Sequence, residues 1–204
     1  MLAMTIVLTF MGDWQLITAM GAMFISSSVL TKWKLESKRK STDAILQHHP
    51  RTAKQAFANL GVAFIFACCA HLFSASEFTL MAFGAVAAAN ADTWASEIGM
   101  LSRAQPRYIL SRRHVQKGLS GGVTRLGIIA ALLGSALIAV ITTFFTQRPE
   151  DGLIVLLAGF MGCMMDSVLG ELMQVKYHSK TVRISESKSN DATTSGIPWM
   201  DNDY

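Results

Sequence analysis

Long runs without a formal charge alternate in this chain with short segments crowded with lysine and arginine, and that alternation leaves few folds open to it. Trp14–Thr31, Phe57–Ser76 and Leu126–Phe145 carry no charged side chain. A helix needs roughly 20 apolar residues to cross a hydrocarbon core of about 30 Å, so each run spans it or nearly does. Phe78–Leu101 and Gly152–Met173 are long enough too, each with two acidic residues near one end. Composition agrees: 51% hydrophobic and 16% charged residues make a 204-residue chain too apolar for an ordinary soluble domain. The expectation is an all-α, polytopic membrane helical bundle with about five transmembrane helices, at 14–31, 57–76, 78–101, 122–146 and 152–173. Residues 1–178 form one integral membrane domain, and 179–204 read as a polar, flexible tail rich in serine and threonine.

The basic residues suggest an orientation. Seven lie in the connection 32–56, six in 102–125 and four in the tail, whereas Arg148 alone lies elsewhere. With five spans the first three groups share one side, which the positive-inside rule makes cytoplasmic. The protein is then expected in the cell membrane, multi-pass, with its N-terminus outside and its C-terminus cytoplasmic. Anionic headgroups account for part of such a basic face. Nucleic acid is not an expected partner, because aromatic residues do not interleave with the charge. Leu2–Met11 is apolar but too short to cross alone, and it lacks the flanks of a signal peptide. Cys68, Cys69 and Cys163 read as small buried hydrophobes, and none of the five histidines stands at metal-ligand spacing from a cysteine or glutamate.

Two segments of the form Asp-x-x-x-x-Glu interrupt the apolar pattern, Asp92–Glu97 and Asp166–Glu171. Fourteen uncharged residues precede each aspartate, which puts both about 20 Å along their helices. An ionisable group at that depth costs at least about 2.5 kcal/mol unless it is paired, metal-bound or facing a wet cavity. Other polar residues converge at the same end: Asn59, Thr93, Ser96, Ser167, Gln174 and the turn Lys117-Gly-Leu-Ser-Gly-Gly-Val-Thr124. Gly118, Gly121 and Gly122 let backbone approach a phosphate where a helix begins, and Lys117 adds a full charge. The order is not that of a Walker A loop. Carboxylates able to hold Mg²⁺ beside a basic glycine turn suit phosphoryl transfer, which asks mainly for positioning and charge neutralisation. The competing reading pairs Asp92 and Asp166 with Lys117 or Arg125 as structural ions. The third span also carries a small-residue stripe, Gly84, Ala85, Ala88, Ala91 and Ala95, suited to close helix packing in lipid.

The runs Arg51–Asn59, Ala91–Gly99, Lys117–Thr124 and Gly162–Gly170 with Gln174 resemble the integral-membrane family called domain of unknown function 92. That family includes transmembrane protein 19 and the plant and cyanobacterial phytyl-phosphate kinases. The resemblance implies a polytopic membrane protein and, for the characterised members, phosphoryl transfer from CTP or another nucleoside triphosphate to a prenyl monophosphate. The matching positions are Asn59, Asp92, Thr93, Glu97, Gly118, Gly121, Gly122, Asp166, Ser167, Gly170 and Gln174. Glu171 departs from the family, which usually has a small residue there. Relatives also continue past an Asn-Asp-x-Val-Asn-like stretch into a further helix, towards which the tail is expected to lead.

The combined expectation is a prenyl-phosphate kinase with Asp92, Asp166 and Glu97 catalytic. Asp92 and Asp166 bind Mg²⁺, with Glu97 and Gln174 supporting them. Asn59, Thr93, Lys117, Gly118, Gly121, Gly122, Ser167, Gly170 and Gln174 contact substrate or nucleotide, joined by Arg112 or Arg113. The alternative is a transporter or non-catalytic membrane protein using the same polar cavity. The outer halves of the helices, where His71 and Asn90 are the main polar residues, argue against a transport path.

Overall fold

A computed structural model describes residues 12–33, 53–117 and 119–173, with 53–59 as backbone alone, and the backbone of three short strands in 176–195. Among the described residues five helices make up the bundle: α1 (Trp14–Lys32), α2 (Ala53–Phe73), α3 (Ser76–Gly99), α4 (Arg125–Thr146) and α5 (Pro149–Met173). Their boundaries follow local chemistry. Ser74, in the left-handed region at φ 51°, and Ala75 reverse the chain between α2 and α3. Thr124 caps α4 by accepting from Gly127 N at 3.0 Å. Gln147, at φ 56°, ends α4, and Pro149 opens α5 with Glu150 and Asp151 in its first turn, where proline and acidic side chains suit a helix start.

α3 is the central helix and packs against α1, α2, α4 and α5. The core runs through Leu16, Met20, Leu60, Phe83, Val86, Ile138 and Val155. The small-residue stripe works as close packing. A Cβ on Gly134 of α4 would lie 3.1 Å from Ala91 Cα and from the Asn90 carbonyl oxygen. One on Gly159 of α5 would lie 2.6 Å from Ala87 Cβ. Small residues on both sides thus bring three backbones together. The outer surface is the reverse of a soluble protein's: Phe24, Ile25, Ile65, Ile129, Val140, Phe144, Ile154, Leu157 and Met161 are all exposed.

Among the described residues, α1, α4 and α5 are long and apolar enough to cross a membrane, and α2 is apolar over Leu60–Phe73. α3, at 24 residues, has the length but not the hydropathy. Its surface is spent on neighbouring helices, so it carries alanine, Asn90, Asp92 and Glu97 where the outer helices carry leucine and isoleucine.

The α3–α4 connection folds back on itself. Strands β1 (Arg107–Tyr108) and β2 (Gly122–Val123) pair antiparallel, with Arg107 opposite Val123. After α5, β3 (Lys176–Ser179) lies between β4 (Ile184–Ser185) and β5 (Ala192–Ser195), so the stretch read as a polar tail carries backbone pairing. Threonines at 193 and 194 suit extended backbone. Leu2–Met11, most of the 32–56 connection and residues 196–204 lie outside the described residues.

Candidate functional site

At the end of the bundle where α3 and α5 finish and α4 begins, a cavity of about 630 Å³ opens between the three helices and the β1–β2 connection. Asp92, Ala95, Ser96, Gly99 and Met100 of α3 line it, facing Met164, Asp166, Ser167, Leu169 and Gly170 of α5. Lys117, Leu119, Ser120, Gly121, Gly122, Val123 and Thr124 form a third wall, continued by Gly127 and Ile128 in the first turn of α4. Asp92 is half-buried, whereas Asp166 and Ser96 are exposed to the cavity mouth. Both carboxylates act electrostatically on Cys163, which is buried between them and the core.

The glycine turn is seated directly on α5. Gly121 has φ +78°, and a Cβ there would lie 2.5 Å from Glu171 N and 2.8 Å from the Ser167 carbonyl oxygen. The contact is mutual, because a Cβ on Gly170 would lie 2.9 Å from Gly121 N. These glycines therefore let a backbone turn lie against a helix backbone within reach of Asp166 and Ser167. The Lys117 ammonium donates to the Ser102 carbonyl oxygen, which ties the turn to the exit of α3. Thr124, which caps α4, and the positive end of that helix complete a region that favours anions.

Glu171 fastens the same connection from outside the cavity. Its two carboxylate oxygens accept from Leu110 N and Ser111 N, each at 2.9 Å. In the sequence this glutamate stands out only as a departure from the family pattern. No local signal could have assigned it a role, because its partners are backbone amides about sixty residues away.

Of the expected site residues, Asp92, Asp166, Lys117, Gly121, Gly122, Ser167 and Gly170 meet at this cavity. Thr93 and Glu97 do not line it. Both are buried; the Thr93 hydroxyl donates to the Ala89 carbonyl at 2.9 Å, and Glu97 Oε1 accepts from Thr31 Oγ1 at 2.7 Å. Five residues separate Asp92 from Glu97, about 140° around a helix of 3.6 residues per turn. Glu97 therefore serves the α1–α3 interface, next to a polar cluster in which Asn90 Nδ2 donates to the Gly134 carbonyl at 2.7 Å and the Trp94 indole donates to Ser26 at 3.2 Å. Arg112 and Arg113 are exposed and away from the lining. The Asn59 side chain, Gly118 and Gln174 lie outside the described residues. Ser96, Ser120, Thr124 and Gly127 join the lining without having been assigned to it. Ser96 was legible in principle, four residues and about one turn after Asp92. Asp166 makes no ion pair among the described residues, so the structural-ion reading is not met at that carboxylate.

The donor set suits a hard cation. Two carboxylates and the hydroxyls of Ser96 and Ser167 offer oxygen only, and Mg²⁺ is commonly held by one or two carboxylates with substrate phosphates supplying the rest. Among the described residues no group of three acidic, histidine or cysteine side chains forms, so the set does not suit an all-protein metal cage.

The chain matches, over residues 1–204, a family described as "Integral membrane protein DUF92". It is 32% identical to Protein PGR of Arabidopsis thaliana, with 74% of this chain and 62% of that protein covered. It is 30% identical to Uncharacterized membrane protein MJ0933 of Methanocaldococcus jannaschii, covering 76% of this chain and 63% of the relative. The chain thus spans a little over six-tenths of the length of these curated relatives. No solved structure matches it.

Proposed function

Because the chain belongs to the DUF92 family of integral membrane proteins, we propose that its cavity is the active site of a prenyl-phosphate kinase. The enzyme moves the γ-phosphoryl group of CTP, or another nucleoside triphosphate, onto a prenyl monophosphate of the phytyl type. One observation carries the reading: Asp92 and Asp166, from two different helices, share a cavity with Lys117 and the Gly121–Gly122 turn. Metal-binding oxygens and phosphate-binding groups therefore face one space. Apart from the hydroxyls of Ser96, Ser120, Thr124 and Ser167, the rest of the lining is mainly apolar, with Met100, Ile128, Met164 and Leu169 offering a surface to the first isoprene units. The distribution of lysine and arginine supports a cytoplasmic location for this end, where nucleotide is found.

In this reading Lys117, the backbone of the Gly121–Gly122 turn and the N-terminal end of α4 hold the nucleotide phosphates. Asp92 and Asp166, with Ser96 and Ser167 beside them, would hold Mg²⁺, which when bound neutralises charge on the transferring group. An oxygen of the prenyl phosphate bonds to the γ-phosphorus as the bond from that phosphorus to the β,γ-bridging oxygen breaks, so that the nucleoside diphosphate leaves. A phosphate monoester dianion is nucleophilic enough to need no general base, which agrees with a lining that holds no histidine. Glu97 has no part in these steps.

The test is transfer of label from γ-labelled CTP, UTP or ATP to phytyl or geranylgeranyl monophosphate by purified protein with Mg²⁺. Asp92→Asn and Asp166→Asn should each abolish the prenyl diphosphate product while leaving the fold intact. A well-folded wild-type protein that forms no product under any of these nucleotides would refute the kinase and leave transport or a structural role.

A further inference from the structure

The α3–α4 connection has a second surface, turned away from the cavity. Residues Ser102–Arg125 contain six lysines and arginines and no aspartate or glutamate. The structure divides these cations. Lys117 lines the cavity, whereas Arg103, Arg107, Arg112, Arg113 and Arg125 are exposed and outside its lining. Between Arg107 and Arg112 in the sequence stands Leu110, a large apolar side chain that is 55% exposed.

This tip is a built element. Pro106 is buried beneath it, Tyr108 N donates to the Arg113 carbonyl and Val115 N to the Pro106 carbonyl, both at 3.0 Å. Arg112 takes the left-handed conformation, φ 56°, to close the turn. The Glu171 carboxylate then fastens the tip to the end of α5 through the amides of Leu110 and Ser111. Beside Glu171 on α5 stands Leu172, 62% exposed and outside the cavity lining, on a helix apolar enough to cross a membrane. The hairpin is therefore held at the flank of a lipid-facing helix rather than over the axis of the bundle.

We propose that residues 107–114 form a binding site for anionic phospholipid headgroups. Leu110 enters the boundary between headgroups and acyl chains, while Arg107, Arg112 and Arg113 take up lipid phosphates. Arginine suits this task, because its planar fork can give two parallel hydrogen bonds to one phosphate. A cluster of cations with no acidic neighbour in the segment, at the end of a spanning helix, matches the negative potential of an anionic leaflet. The arginines thus serve the membrane, and the nucleotide is left to Lys117 and the glycine turn.

The experiment places an environment-sensitive fluorophore on Leu110→Cys, with Cys68, Cys69 and Cys163 changed to alanine, in nanodiscs of phosphatidylcholine alone or mixed with phosphatidylglycerol. Both disc faces are open to solvent, so the orientation of the protein does not enter. The expected result is a blue-shifted emission in the mixed discs that is lost at high salt, lost in the R107Q/R112Q/R113Q variant and unchanged by CTP or inorganic phosphate. Solvent-like emission in both discs, or the same blue shift in both, would overturn the proposal. A shift abolished by CTP would make the tip a nucleotide subsite instead. The salt and lipid comparisons use one and the same protein, so they decide the matter even if the triple variant does not fold. No turnover is measured, so failure here leaves the kinase reading unaffected.

Discussion

A methyl group at position 121 meets two separate obstacles, and their sizes can be told apart. The first is conformational: at φ +78° an L-residue other than glycine costs roughly 1–2 kcal/mol. The second is steric. The new Cβ would lie 2.5 Å from Glu171 N, 2.8 Å from the Ser167 carbonyl oxygen and 3.0 Å from Glu171 Cα. All three are backbone atoms of a helix, so no side chain can rotate aside, and overpacking of this kind costs about 1–3 kcal/mol. Gly121→Ala should therefore weaken the seat of the turn on α5 by about 2–5 kcal/mol. Gly170→Ala makes the reciprocal contact, 2.9 Å from Gly121 N, without a positive φ, and alanine regains about 1 kcal/mol over glycine in a helix. Its net cost should be under about 2 kcal/mol. Hydrogen–deuterium exchange at the Leu110 and Ser111 amides reads the difference locally, because these two are held by Glu171. If the tip opens with the turn, Gly121→Ala should speed their exchange at least about 25-fold, since 1.4 kcal/mol is a factor of ten. Unchanged protection in Gly121→Ala, or a larger effect from Gly170→Ala, would refute the seating of the turn on the helix.

Three further outcomes are expected. Glu97→Gln should alter thermal stability in detergent but keep most of the phosphoryl-transfer rate that Asp92→Asn removes; equal losses in both would show that the two faces of α3 are not functionally separate. Gly159→Ala, with its Cβ 2.3 Å from Ser135 Oγ and 2.6 Å from Ala87 Cβ, should cost about 1–3 kcal/mol. Gly84→Ala, whose nearest neighbour is Ala158 Cβ at 3.5 Å, should be tolerated, so the reverse order of melting temperatures would contradict the helix packing. Asp13, just before α1, has its pKa raised by burial, opposed by His71, and its Oδ2 has no hydrogen-bond partner among the described residues. The folded state then binds the proton more tightly than the unfolded chain, so stability falls as pH rises above the ordinary aspartate range. Asp13→Asn should raise the melting temperature at neutral pH and bring no gain at acid pH; a gain of equal size at both would exclude ionisation as the cause.

The helices were legible because lipid imposes a length and an apolarity that few other environments require. α3 shows the limit of that rule: four neighbours replace lipid around it, so its composition drifts towards alanine and polar residues while its length stays that of a span. Asp92 and Asp166 could be paired in advance, since each follows an equally long uncharged run and so reaches the same depth. Glu97 belongs to the motif that resembles the family, but five positions carry its side chain to another face of α3 than Asp92, away from the cavity lining. The contrast was already written in the four-residue spacing, which puts Ser96 on the face of Asp92 and Glu97 on the face of Thr93. The Glu171 clamp and the separation of Lys117 from Arg112 and Arg113 depend on how the connection folds over α5. Backbone amides bonded to a carboxylate about sixty positions away leave no periodicity to read.

The position of α3 at the centre has a consequence for how the chain is made. Alone in a bilayer this helix would turn Asn90, Asp92 and Glu97 towards lipid, and charged side chains within a span are costly to insert. The partners that shelter it on two sides, α4 and α5, are synthesised after it. Stable residence of α3 in the membrane is thus tied to the arrival of later segments.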